Sequence, residues 1–362
     1  YKIVSCAIKY SFMKFNYNIL FISLMIVAIM SCDDDDNAGD APAVVEKDRT
    51  EQQVVDGDAL LIYLNTHYYN STEINALENP TVDDLVFTTL LEGETVPSDA
   101  TKLIDAVETK TTTYKDVKYV YYILKINQGG GASSPVFSDK VRVNYSGSLE
   151  DGTTFDSSSN PVNFDLVYVV SGWNRVLPEF NVASSFGSNP DGTVGFSDYG
   201  MGAMFLPSGL GYFADYLPSI PSYSNLIFKF ELLQTEVNDH DGDYVSSYLE
   251  DISYPANEDV DGDFDLFNND TDGDLTPDFV DPDDDGDGTN TADEVEVTKY
   301  ANTSLADLKN EIQEVSLNNM QFFTAIKEKN DDTYYTHLVT LVDTNGNGIP
   351  NYLDATESQK VN

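Results

Sequence analysis

The stretch VRVNYSGSLEDGTTFDSS, residues 141–158, decides the fold. Its first half alternates: Val141, Val143 and Tyr145 fall on one face, Arg142 and Asn144 on the other. That is the period of a strand with one face turned inward. Asp151-Gly152 then supplies a hairpin turn, because both residues tolerate the backbone angles that tight turns need. The same texture continues outward. VKYVYYILKI (117–126) is β-branched and aromatic, and LIFKFELL (226–233) puts Leu226, Phe228, Phe230 and Leu232 on one face. VVSGW (169–173) holds the single tryptophan of the chain, at the start of a short helix. Tyr145, Phe155 and Phe228 come from three strands and can point inward together, with Trp173 as the floor of the space they enclose.

One aromatic alone reads as ordinary core, since rings dominate protein interiors. The ordered series says more. "VRVNYSGSLEDGTTFDSS", "FDL", "VVSGW", "LPSGLGYF", "IP" and "LIFKFELL" follow one another over roughly residues 115–236. This series resembles the FK506-binding-protein (FKBP) family of peptidyl-prolyl isomerases. The resemblance implies an α+β fold in which an antiparallel sheet wraps a short helix. It also implies a site: Tyr145 and Phe155 as pocket walls, with Asp156 as a buried carboxylate beside them. Val169 and Val170 stand above the floor, where the Val170 N–H would hold a substrate carbonyl. Trp173 is the floor, Tyr212 a hydroxyl for the ligand, and Ile220 and Phe228 the far wall. No cofactor is implied for catalysis.

Three departures from the family pattern stand out. Val162 takes the place of a second wall aromatic, which would widen the pocket. Phe213 stands where glycine usually follows the tyrosine. The connection after Trp173 is long, with an inserted flap near 181–200 that carries Phe186, Phe196 and Tyr199.

The formal net charge of -43 excludes nucleic acid as a partner, because phosphates would be repelled. The 41% hydrophobic content suffices for a real core. Cys6 and Cys32 both lie outside the region that reads as folded, so neither a disulfide framework nor a zinc site is on offer. The apolar run Ile19–Met30 is too short to span a bilayer and has the length of a signal-peptide core, with Lys14 ahead of it. Met13 reads as the start, which would leave residues 1–12 untranslated. Ile29-Met30-Ser31-Cys32 resembles a bacterial lipobox, which implies cleavage after residue 31, acylation of Cys32 and attachment to a lipid bilayer. A plain secretory signal with an incidental cysteine is the alternative. Asp33–Asp36 resemble the acidic tag of Bacteroidetes surface lipoproteins, implying an outer-membrane protein that faces the periplasm or the cell surface.

After residue 238 the acids are spaced, not scattered. DHDGDYVSSYLE (239–250), DVDGDFDLFNND (259–270), DTDGDLTPDFVD (270–281), DDDGDGTNTADE (283–294) and DTNGNGIPNYLD (343–354) each place Asp or Asn at positions 1, 3 and 5 and an acid at position 12. Oxygens at those positions converge on one calcium ion in loops of this kind. The predicted ligands are Asp239, Asp241, Asp243 and Glu250; Asp259, Asp261, Asp263 and Asp270; Asp270, Asp272, Asp274, Asp278 and Asp281; Asp283, Asp285, Asp287 and Glu294; and Asp343, Asn345, Asn347 and Asp354. The repeats resemble thrombospondin type 3 and EF-hand-like loops. They depart from a true EF-hand in having glycine at position 6 only at Gly288 and Gly348, and in lacking a clear entering helix. The last loop carries fewest charges and should bind most weakly.

The chain therefore divides into a leader (1–31), an acidic tether (32–50), a helical segment (51–114), an isomerase domain (115–237) and an acidic, loop-rich calcium region (238–362). In the helical segment, Asp58 is the expected cap and Leu60, Leu61 and Leu64 the buried face. Near the end, SLADLKNEIQEV reads as a packing helix capped by Ser304. The function expected is isomerisation of proline-containing polypeptides during folding of exported proteins, with calcium in a structural role. The alternatives are a binding or adhesion module without turnover, carried on a calcium-bound spacer, and a chaperone that grips its clients with the flap.

Overall fold

The β-branched and aromatic runs do build one sheet. The computed structural model describes residues 46–158, 160–190, 192–251, 264–329 and 333–361. The leader, Cys6, Cys32 and Asp33–Asp36 lie outside the described residues, as do Asp259, Asp261 and Asp263. Residues from Lys47 onward form one unit. No helix among the described residues is long and apolar enough to cross a membrane.

Helix α1 spans Arg49–Thr66. It starts earlier than the sequence suggests, because Asp48 is the cap: its carboxylate accepts the Glu51 N–H at 3.0 Å. Asp58 therefore lies inside the helix. Leu60 and Leu64, four residues apart, are fully buried, whereas Leu61 is 40% exposed. Short strands β1 (His67–Tyr69), β2 (Phe87–Thr89) and β3 (Thr101–Lys102) follow, with a one-turn helix α2 (Ser71–Ile74) between the first two. They pair as a small sheet in the order β2-β1-β3. The segment expected to be helical thus also carries short strands. Its end, β4 (Glu108–Tyr114), belongs to the main sheet.

The main sheet continues with β5 (Val117–Asn127), β6 (Lys140–Ser148), β7 (Thr154–Ser157) and β8 (Val162–Asp165). Helix α3 (Gly172–Val176) crosses next. The flap hairpin β9 (Ser185–Ser188) and β10 (Val194–Ser197) leads to β11 (Gly200–Leu206) and β12 (Leu226–Glu236). The order is β4-β5-β11-β12-β6-β7, with β8 also on β6, and all pairs are antiparallel.

Both faces of this sheet are covered. Tyr119, Tyr121, Ile123, Val143, Met204, Phe228 and Phe230 pack inward against Trp173, Val176 and Phe180. Their alternating neighbours Tyr122, Leu124, Ala203, Phe205 and Ile227 pack outward under Leu60, Tyr63 and Leu64 of α1. The one-faced sheet read from the alternation of β6 is corrected here: β11 is buried along its whole length. Each such side chain taken from water stabilises the fold by roughly 1.5–3 kcal/mol.

The acidic region is more than loops. A one-turn helix α4 (Thr291–Glu294) leads into β13 (Val295–Asn302). Helix α5 (Leu305–Gln313), β14 (Gln321–Phe323), β15 (Lys327–Glu328) and β16 (Tyr334–Leu341) complete a four-stranded antiparallel sheet centred on β16. Ser304 caps α5 by accepting the Asp307 N–H at 3.3 Å, and Leu308 is its buried anchor.

Asp139 joins the start of β6 to the end of β12. Its carboxylate accepts from the Val136 N–H and from the Thr235 hydroxyl, each at 3.0 Å. Burial pushes its pKa up to about 7. A carboxyl whose folded pKa exceeds its unfolded value holds a proton preferentially in the native state. Its contribution is complete below the unfolded value of 3.8 and is lost as pH rises through about 7. Asp139→Asn keeps an acceptor for both donors and removes the titration. Its melting temperature should therefore fall less than that of the parent between about pH 5 and 8. Parallel curves would contradict this assignment.

Candidate active site and acidic loops

The residues drawn from separate strands meet in one cavity of about 660 Å³. Tyr145, Phe155, Asp156, Val169, Val170, Trp173, Tyr212, Ile220 and Phe228 all line it. The indole is the hub. Its ring centre lies 5.1 Å from Phe228, 5.3 Å from Phe164 and 5.8 Å from Tyr145, the last edge-on at 89°. Edge-to-face contacts of this kind favour the arrangement beyond the area they bury. The glycine before Trp173 has a steric reason: a Cβ on Gly172 would lie 2.1 Å from the Leu206 side chain. Only glycine lets α3 start directly against β11. Gly147 plays the same part across the sheet, where a Cβ would meet the Phe155 ring at 2.6 Å and the Phe228 ring at 2.8 Å.

Polar groups are few and turned inward. The Tyr145 hydroxyl donates to Asp156 Oδ2 at 2.5 Å. Burial, and then the charge of Asp156, raise the Tyr145 pKa, so it stays a donor. Asp156 itself is exposed, which corrects the expectation of a buried carboxylate. Among the described residues the Val170 N–H and the Tyr212 hydroxyl have no acceptor. Burial raises the Tyr212 pKa, with the charge of Asp156 adding to it. The cavity thus offers an apolar floor with two free donors at its edge.

The loop that carries Tyr212 is fixed from behind by α1. Asp56, buried in that helix, accepts the Ser208 N–H at 2.9 Å and the Ser208 hydroxyl at 2.6 Å. Phe213 takes φ +49, the left-handed region in which glycine is at home. Its ring leaves the cavity to meet Tyr223 at 5.1 Å and the Arg49 guanidinium at 3.9 Å. Val162 does not line the cavity; Phe164, two residues on along the same strand face, does. Tyr114, Tyr168 and Leu217 are further lining residues that the sequence reading missed. No residue of the flap lines it, so the flap is a separate exposed hairpin, with Phe186 on β9 66% exposed.

The acidic loops are regular. The position-1 carboxylate accepts the N–H of the position-4 glycine at 2.7 Å in Asp239 and Asp343 and at 2.8 Å in Asp270. The position-2 N–H donates to the side chain at position 9: His240 to Ser247, Thr271 to Asp278, Asp284 to Thr291 and Thr344 to Asn351. Asp278 is therefore a structural acceptor, taking both the N–H and the hydroxyl of Thr271 at 2.8 Å. Position 6 has a positive φ in four of the loops, at Tyr244, Leu275, Gly288 and Gly348. Leu275, at φ +81 and 91% exposed, gains no packing for that strain. Leu275→Gly should stabilise the region by about 1 kcal/mol, read as a higher chemical-denaturation midpoint. A lower midpoint would mean that the strain is absent.

Among the described residues acids gather in three groups: Asp241, Asp243, Glu250 and Asp284; Asp270, Asp272 and Asp274; and Asp283, Asp285 and Asp287. Asp239, Asp281 and Glu294 stay outside these groups, as do the ligands predicted in the last loop. Asp281 instead accepts the Asp283 N–H at 3.0 Å. Several grouped oxygens are buried and unpartnered, including one each on Asp241, Asp243, Asp283, Asp285 and Asp287, and both on Asp284 and Glu250. Both oxygens of Glu294 are also bare. Burial and the neighbouring charges push Asp243 up to about 9, Asp284 to about 10 and Glu294 to about 8. Bare buried carboxylates are costly, and hard oxygens of this kind fit a divalent cation such as calcium. The last loop differs: the amides of Asn345 and Asn347 donate to Asp354 Oδ2 at 2.9 and 2.7 Å. Donors from Thr356, Asn345 and Asn347 hold the Asp354 carboxyl down at about 2.

Known proteins share the cavity-bearing part of the chain. The family described as FKBP-type peptidyl-prolyl cis-trans isomerase matches residues 131–233. The chain is 37% identical over 112 residues to the FKBP-type 22 kDa peptidyl-prolyl cis-trans isomerase of Escherichia coli K12, across 30% of this chain and 47% of that protein. To the FKBP-type isomerase FkpA of Aeromonas hydrophila it is 34% identical over 122 residues, across 33% of this chain and 40% of that protein. It thus spans under half the length of these two relatives. Against FK506-binding protein 1A of Aspergillus fumigatus the identity is 34% over 110 residues, across 29% of this chain and 85% of that protein. With 85% of that protein covered at this identity, and the family match falling on residues 131–233, the chain belongs to the FKBP-type peptidyl-prolyl cis-trans isomerase family.

Proposed function

We propose that the chain accelerates cis-trans isomerisation at Xaa-Pro bonds of exported polypeptides, from a lipid anchor at Cys32 on the outer membrane, with an acidic tail stiffened by calcium. The observation that carries the enzymatic part is the aromatic floor flanked by the free Val170 N–H and Tyr212 hydroxyl.

The amide C–N bond resists rotation because resonance gives it double-bond character, with a barrier of roughly 18–20 kcal/mol. Uncatalysed, an Xaa-Pro bond turns over in tens to hundreds of seconds. Twisting breaks the resonance and lowers the charge separation of the amide, so the twisted form loses less than the planar one on leaving water. A cavity walled by Tyr145, Phe155, Phe164 and Phe228 binds the twisted amide better than the flat one, and that difference lowers the barrier. The proline ring lies on Trp173. The Val170 N–H and the Tyr212 hydroxyl hold the flanking carbonyls. No nucleophile is needed.

Calcium would be held by Asp241, Asp243 and Glu250, by Asp270, Asp272 and Asp274, and by Asp283, Asp285 and Asp287 with Glu294. It would neutralise their repulsion and add its binding energy to folding. The lipobox-like ending of the leader at Cys32 supports the anchor.

The test is the cis-to-trans relaxation rate of a proline peptide with catalytic amounts of the chain. Tyr212→Phe, which removes one donor and keeps the ring, should lower kcat/KM by roughly 3–10-fold, as loss of about one hydrogen bond predicts. Peptide binding with no acceleration by the unmodified chain would favour a non-catalytic binding module instead.

A further inference from the structure

Asp284 is the position-2 residue of the loop 283–294. Asp283, Asp285 and Asp287 converge with one another, whereas the Asp284 side chain closes on Asp241, Asp243 and Glu250 of a loop that lies before the whole of residues 251–282. The residues at position 2 of the other described loops are His240, Thr271 and Thr344, none of them an acid. We propose that Asp241, Asp243, Glu250 and Asp284 form one composite calcium site that crosslinks the loop 239–250 to the loop 283–294. This rests on the reading of the tail as calcium-binding and adds to it a ligand, a partner loop and an order of filling.

Three observations carry it. Asp243, Glu250 and Asp284 are only 2%, 1% and 1% exposed. Both oxygens of Glu250 and of Asp284, with one each of Asp241 and Asp243, are buried and without a hydrogen-bond donor. Among the described residues no lysine, arginine or histidine forms an ion pair with any of the four. Four carboxylates facing one another out of water have no counter-charge, and a bound divalent cation supplies one. The size also fits. One oxygen from each residue lies within 4.8 Å of all the others. All four can therefore reach one calcium ion at once, since ligands on opposite sides of it, with bonds of about 2.4 Å, lie about 4.8 Å apart.

Charge count ranks the sites. Ligand charge and rigidity set calcium affinity in oxygen sites. The composite site offers four acids, three of them buried and Asp241 half-buried. The group Asp270, Asp272 and Asp274 offers three, two of them exposed. The composite site therefore fills first. Because one of its ligands is the immediate neighbour of Asp283 and Asp285, its loading also orders the loop that forms the next site.

Calcium titration calorimetry on the full chain tests this. The tightest phase should weaken at least tenfold in Asp284→Asn and to a similar degree in Glu250→Gln. The double variant should be little worse than either single, because both act on one ion. Asp272→Asn should leave that phase intact. If the unmodified chain takes up no calcium, the reading of the tail fails and the composite site with it. If it does, and Glu250→Gln weakens the tight phase while Asp284→Asn does not, calcium binding stands and the composite site is overturned. Should Asp284→Asn fail to fold, anomalous diffraction from terbium-soaked crystals of the unmodified chain decides. A peak within about 2.3–2.6 Å of carboxylate oxygens from both Glu250 and Asp284 supports the crosslink. A peak on Asp241 and Glu250 with Asp284 turned away overturns it.

Discussion

Trp173→Ala is expected to lower the isomerase rate at least about tenfold and to destabilise the chain by about 3–5 kcal/mol. The indole is 3% exposed and touches the rings of Tyr145, Phe164, Phe228 and Phe230. Truncation removes the floor on which the proline ring would rest and leaves a void under four aromatics at once. The two effects separate experimentally. Circular dichroism gives the folded fraction, and the rate per folded molecule gives the catalytic loss. Trp173→Phe keeps an apolar floor and should recover most of the stability and part of the rate. A Trp173→Ala chain that stays folded with an undiminished rate would remove the cavity from the mechanism.

The second large effect is expected on removal of divalent cations. Excess chelator should loosen the region from Asp239 onward, where carboxylates of three groups face one another, and should leave the main sheet intact. Limited proteolysis should then cut within 264–361 and spare 49–236. Restoring calcium to about one hundred times the dissociation constant should stabilise the tail by about 2.7 kcal/mol for each independent site. Identical melting curves and cleavage patterns with chelator and with calcium would refute a metal-stabilised tail.

The sequence carried the cavity well, for a physical reason. Tyr145, Phe155, Trp173, Tyr212, Ile220 and Phe228 sit in an ordered series, and each was expected where it lies. Phe164 was missed because it is read from a four-residue strand, Val162–Asp165, too short for a period to declare which face is inward. Asp284 was missed because the loop pattern counts positions 1, 3, 5 and 12, and position 2 has a target only once another loop is folded against it. Asp278 was read as a ligand because acids and hydrogen-bond acceptors look alike in sequence. Only the structure shows the Thr271 N–H and hydroxyl pointing at it. The small sheet β2-β1-β3 was illegible, since strands of two or three residues carry no periodicity. Their hydrogen bonds come from segments far apart in the chain.

The covering of the outer sheet face by residues 49–107 bears on how the chain can be dissected. A fragment cut to the family match, 131–233, would discard β4 and β5 and lay Phe205 and Ile227 bare to water, both buried in the intact chain. Cutting at residue 115 instead would strip away Leu60, Tyr63 and Leu64 and leave Tyr122 and Leu124 uncovered as well. Such truncations invite aggregation through a greasy plane that has nothing to do with catalysis. The smallest excisable domain that keeps this face covered therefore begins at the cap of the first helix, Asp48, well ahead of residue 131, where the family match starts.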